Sequence, residues 1–138
     1  MPPGTYYNGN YDWAAHAYIN KHDSYYNDDA CADISALVHE IGHNLGLAHS
    51  GAFNEECGDS SGWMGVSTGS NRCFNAAKSY QLGWYPSKVE TVDLNNSPSG
   101  SENFNMIGVS DYETAYGLVS LRIVLQGKEW YIGYNRKH

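Results

Sequence analysis

The sequence predicts an α+β fold, and three observations carry that expectation. Apolar residues recur at helical spacing across 30–45, at Cys31, Ile34, Leu37, Val38, Ile41 and Leu45. A second helical run covers 73–82, with Asn71 or Asn75 as its cap and Gly83 as its close. From Lys88 onward the period changes to two, as in strands. These features divide the chain into a helical core over 1–86 and a small antiparallel β-sheet region over 87–138 packed on it.

Composition narrows the field. Hydrophobic content of 41% and charged content of 17% are values of a folded globule, which sets disorder aside. With 138 residues, one domain or one compact piece of a larger one is expected, with a useful core and acting as a monomer. A net charge of −7 argues against nucleic acid or an anionic membrane as partner. No apolar run approaches a membrane span. Met1-Pro2-Pro3-Gly4-Thr5 lacks the basic and apolar regions of a signal peptide, so a secreted protein would carry its targeting segment outside this sequence. The three cysteines, Cys31, Cys57 and Cys73, form no C-x-x-C pair. An oxidising compartment would give one disulfide, with Cys31–Cys73 the favoured pairing and three thiols the alternative.

In chain order, residues 1–12 read as a loop and 13–19 as a short strand. Residues 20–29 are polar and read as a loop with helix caps at Asn27, Asp28 or Asp29. His16 and His22, ahead of the first helix, read as surface or hydrogen-bonded side chains. Residues 50–62 and 67–72 are loops that flank Trp63-Met64-Gly65. Trp84 and Tyr85 anchor the chain before Pro86. Strands are expected at 89–94, 104–109, 118–125 and 130–135, with a flexible loop at 95–102 and a tight turn at Gln126-Gly127-Lys128.

The chemistry sits in the first helix and the turn after it. His39, Glu40, His43, Gly46 and His49 spell H-E-x-x-H-x-x-G-x-x-H. Residues four apart share one helix face, so His39 and His43 offer two imidazoles to one metal ion. A continuing helix would carry His49 off that face. Gly46 enters the left-handed region at little steric cost, ends the helix and turns the chain back. His49 then supplies a third ligand to Zn²⁺, and the fourth position stays open for water. Glu40 stands beside that position and accepts the water's proton.

These residues make up the metzincin zinc signature, and the chain resembles the gametolysin-type metallopeptidases of that clan. The resemblance rests on Pro2-Pro3-Gly4-Thr5, on Tyr26-Asn27-Asp28-Asp29, and on HEIGHNLGLAHSG at 39–51. It continues in Gly58-Asp59-Ser60 before Met64-Gly65, in CFNAAK at 73–78 with QLGWY at 81–85, and in YIGYNRK at 131–137. It implies a partial metzincin catalytic domain with an active-site helix, a Met-turn at Met64 beneath the imidazoles, and a last helix packed under the site. Ala15, His16, Ala17 and Tyr18, with Ser50 after the third histidine, are similar to matrixins, which hold an extended substrate along such an edge strand. Val66 stands two residues after Met64 where some metzincins have a metal-reaching tyrosine, so a tyrosine switch there is excluded. Few residues precede the edge strand, so the chain resembles a family domain lacking its N-terminal portion. The resemblance implies a secreted zinc endopeptidase that cleaves polypeptides, extracellular-matrix or cell-wall glycoproteins among them. The alternative is an inactive zinc-binding fragment, or a module that binds polypeptide or glycan without cutting.

Overall fold

A helix needs its first N–H groups satisfied, and Asp33 does this with its own carboxylate. The Asp33 side chain accepts from the Ser35 backbone N–H at 2.8 Å and opens α1, Ile34–Asn44. The computed structural model describes residues 6–7, 10–11, 13–65, 72–96 and 101–134. Its elements make an α+β architecture of short sheets and two α-helices among the described residues. Packing divides the chain into two compact units, Met1–Cys73 and Phe74–His138. The readings placed on Pro2-Pro3-Gly4-Thr5, Val66, Asn71 and residues 135–137 lie outside the described residues.

In the first unit, β1 (Tyr6–Tyr7) and β2 (Asn10–Tyr11) pair antiparallel where a loop was expected. The sequence marks the pair with Asn8-Gly9, a dipeptide favoured in hairpins. The expected strand at 13–19 shortens to β3 (Ala15–Ala17), and the expected loop at 20–29 contains its partner, β4 (Ser24–Tyr26). Asn20 turns the chain between them at φ 58°, a conformation asparagine tolerates. Asn27 ties the far end of this hairpin. Its backbone N–H donates to Ala14 at 2.8 Å and its amide to Trp13 O at 3.0 Å. A 3₁₀ turn, Asp28–Ala32, follows, so α1 starts later than residue 30 and is capped by Asp33 rather than by Asn27, Asp28 or Asp29.

The apolar stripe of α1 does not form the core. Ile34, Ile41 and Leu45 are 61%, 48% and 51% exposed, and Cys31 is exposed as well, whereas Ser35, Glu40, Gly42 and His43 are buried. The helix packs on β3 and β4 with its small and polar side. Periodicity reports that a helix has two faces, and the packing partner decides which one is covered. Among the described residues of this unit, the buried apolar ones are Ala17, Leu47, Trp63 and Met64.

α1 ends in a Schellman motif. Gly46, at φ 95°, donates to His43 O at 2.9 Å, and Leu47 donates to Gly42 O at 3.0 Å. Beyond it the loop doubles back, with Ser50 N–H donating to Met64 O at 2.7 Å and Gly65 N–H closing a turn on Gly62 O at 3.2 Å.

In the second unit, α2 (Ala76–Gln81) is capped by Asn75, whose Oδ1 accepts from Lys78 N–H at 2.9 Å, and is closed by Gly83 at φ 70°. It packs on β6 (Ser120–Leu125) and β7 (Lys128–Gly133). Those two strands pair antiparallel through a turn in which Gln126 and Gly127 both have positive φ, as the sequence predicts. β5 (Val89–Asp93) is parallel to β6, so the sheet is mixed rather than antiparallel. The chain crosses over between the two strands through residues 94–119, and a crossover yields parallel neighbours. The expected strand at 104–109 is reduced to single bridges at Met106 and Gly108, followed by a 3₁₀ turn, Val109–Asp111. None of Cys31, Cys57 and Cys73 is in a disulfide, which sets aside the Cys31–Cys73 pairing. A disulfide needs facing Cβ atoms about 3.8 Å apart, and residue spacing does not report that.

Gly65 provides a direct check on the first unit. A Cβ there would lie 1.7 Å from the backbone oxygen of Asp59, whereas one on Gly127 would meet nothing within 4 Å. Gly65→Ala is expected to lower stability by about 3 kcal/mol, and Gly127→Ala by about 1 kcal/mol through left-handed strain alone. Thermal melts of both variants, with equal losses as the contrary result, test this.

Candidate metal centre

Each of the three motif histidines has its Nδ1 held by an oxygen. His39 Nδ1 lies 2.8 Å from Trp63 O, His43 Nδ1 2.7 Å from Leu47 O, and His49 Nδ1 2.7 Å from Glu56 Oε1. Carbonyl and carboxylate oxygens only accept, so in each neutral ring the proton belongs on Nδ1. Each Nε2 then carries the ring's lone pair. His43 Nε2 and His49 Nε2 lie 3.1 Å apart, and the three rings have centroid separations of 4.7–5.2 Å. One ligand atom from each of His39, His43 and His49 lies within 4.8 Å of the others. Nitrogens sharing a tetrahedral ion at about 2.0–2.1 Å each stand about 3.3 Å apart, close to the 3.1 Å of the His43–His49 pair.

The local fold explains how the rings meet. His39 and His43 project from adjacent turns of α1. The Gly46 turn brings His49 back, and the Leu47 carbonyl that receives His43 belongs to the same turn. Trp63 precedes the fully buried Met64, and its carbonyl receives His39, so the Gly62–Gly65 turn is tied to the site through its backbone.

Glu40 completes the arrangement. It is 5% exposed, and its Oε2 is buried with no hydrogen-bond partner, while its carboxyl accepts from the Ala17 backbone N–H. Burial pushes its pKa up to about 7, opposed in part by the charge of His49 and by the Ala17 bond. His39 is held below the usual histidine value, first by burial and then by the neighbouring His43 and His49, with the Trp63 carbonyl opposing. A neutral imidazole is the form that binds metal.

Ala17 therefore reaches the site through its amide, while Ala15, His16 and Tyr18 lie along the same stretch. The His16 ring packs edge-on to Tyr18 at 4.6 Å, and Tyr18 is exposed. The sequence spacing does not point to Glu56, to the Trp63 and Leu47 carbonyls, or to the Ala17 amide. Leu47 alone carries a signal, as the residue after a helix-ending glycine.

A family model described as gametolysin peptidase M11 matches residues 2–110, a span that includes the triad and both α-helices. No curated protein and no solved structure matches the chain.

The buried carboxyl makes the stability of the chelator-treated protein depend on pH. Glu40 ionises at about 7 in the fold against 4.5 ordinarily, so the fold favours its protonated form. That contribution is complete below about pH 4.5 and is lost as pH rises through about 7. Glu40→Gln is expected to come close to wild type near pH 4 and to exceed it by roughly 3 kcal/mol at pH 8. Urea melts at the two pH values measure the gap, and a pH-independent gap would contradict this account.

Proposed function

Since the chain belongs to the gametolysin peptidase M11 family, we propose that it is a zinc-dependent metalloendopeptidase of metzincin type. The observation that carries this is the convergence of three Nδ1-tethered imidazoles beside a buried carboxyl with one oxygen unpartnered. His39, His43 and His49 would hold the ion, and an all-imidazole set favours zinc over calcium or magnesium. The ion supplies Lewis acidity, which polarises the scissile carbonyl and makes water acidic at neutral pH.

The chain's own residues handle the proton. Glu40 takes it from the attacking water as the new C–O bond forms, and returns it to the amide nitrogen as the C–N bond breaks. The Ala17 N–H holds one carboxyl oxygen and leaves Oε2 for the water. The substrate polypeptide lies extended along Ala15–Tyr18, using the main-chain groups not spent on β4 or Glu40. Met64 underlies the imidazoles as the Met-turn residue. A monomer acting outside the cell on matrix or wall glycoproteins completes the proposal, supported by the family resemblance. No helix among the described residues is long and apolar enough to cross a membrane.

Glu40 separates this reading from a metal-binding module that does not cut. A purely structural site has no use for a buried, half-satisfied carboxylate, which is costly to keep. Glu40→Gln is expected to retain one zinc per chain and to lose about 10²–10⁴-fold in turnover of a generic protein substrate. Chelation should abolish wild-type turnover, and added zinc should restore it. Equal turnover in wild type and Glu40→Gln would defeat the proposal.

A further inference from the structure

We propose that Glu56 is a positioning residue for the metal centre, setting the tautomer and orientation of His49 through the 2.7 Å contact of its Oε1 with Nδ1. This inference rests on the metal-centre reading of the triad. It starts from an asymmetry. His39 and His43 are fixed by backbone carbonyls and by the helix that carries them, whereas His49 follows the helix and its Nδ1 meets a side chain. A carboxylate there fixes the proton on Nδ1 and strengthens Nε2 as a donor.

The loop is built to deliver this side chain. Ala52 and Glu55 exchange backbone hydrogen bonds at 3.1 and 2.9 Å around Phe53 and Asn54, which both have positive φ. Gly58 N–H returns to Glu55 O at 3.1 Å, and Asp59 N–H to Ser50 O at 3.0 Å. A Cβ on Gly58 would lie 2.4 Å from Ala52 O, so the loop closes over a glycine. Residue 56 is thus pinned on both sides, yet its side chain is 82% exposed. An exposed carboxylate contributes little to folding. Its effect falls on the ligand it touches.

The test measures metal affinity rather than turnover. Zn²⁺ dissociation constants come from chelator competition on the full chain, and Co²⁺ absorption reports the ligand field. Glu56→Ala is expected to weaken Zn²⁺ binding about 10–100-fold and to alter the Co²⁺ spectrum. Glu56→Gln keeps an acceptor oxygen and should fall between Ala and wild type. Glu55→Ala, on the neighbouring exposed residue, should match wild type. Glu56→Ala and Glu56→Gln with wild-type affinity, or a Glu55→Ala loss equal to that of Glu56→Ala, would overturn the inference while leaving the metal centre intact. If Glu56→Ala fails to fold, Glu56→Gln with wild-type affinity overturns it alone. A wild type that takes up no metal would overturn both.

Discussion

Three hydrogen bonds to Nδ1 atoms hold the site together. An imidazole has two nitrogens, and either can bind metal, so a triad of histidines does not by itself define a centre. Here the Trp63 and Leu47 carbonyls and the Glu56 carboxylate accept from the three Nδ1 positions. The remaining nitrogens are thereby committed to one small volume. Each acceptor comes from a different segment, so the turn after α1, the 50–62 loop and the Gly62–Gly65 turn must all be in place before the Nε2 atoms can meet.

The folding cost of this arrangement is concentrated at Glu40. Its carboxyl is taken out of water within reach of the charge of His49, and one oxygen finds only the Ala17 amide. An unsatisfied buried polar atom opposes folding by about 1–3 kcal/mol. The helix accepts this while turning Ile34, Ile41 and Leu45 outward. In α1, therefore, placement of the histidines and the glutamate prevails over burial of the apolar stripe. Local consistency is broken where chemistry is expected, the usual place for such conflicts.

That conflict also explains what could be read from the sequence. The convergence of the three histidines was legible because metal geometry restricts spacing within a single helix and one turn. His39, His43, Gly46 and His49 lie within that local reach. The cap at Asn75, the end of α2 at Gly83 and the turn at Gln126-Gly127 were legible for the same reason. The burial of α1 was not, since amphipathicity does not name the covering partner. β4 was hidden because Ser24-Tyr25-Tyr26 follows polar residues that resemble a loop, and only its pairing with β3 reveals a strand. The parallel pairing of β5 and β6 depends on a crossover that alternation cannot report.

The least legible contributors are backbone groups and Glu56. A carbonyl has no letter in the sequence, and Glu56 is one of several acidic residues in a polar loop. What distinguishes it is the path of the loop around it. Ala52 and Glu55 bond to each other, Gly58 accommodates the close return of the chain, and Asp59 rejoins Ser50. Ser50 is the residue after His49, and it also bonds Met64. The same backbone junction therefore anchors His49, the loop that bears the carboxylate it meets and the turn that bears the buried methionine. Strain introduced at Gly58 or Gly65 would reach His49 without touching any of the three histidines, because the glycines set the loop path and the loop path sets the ring.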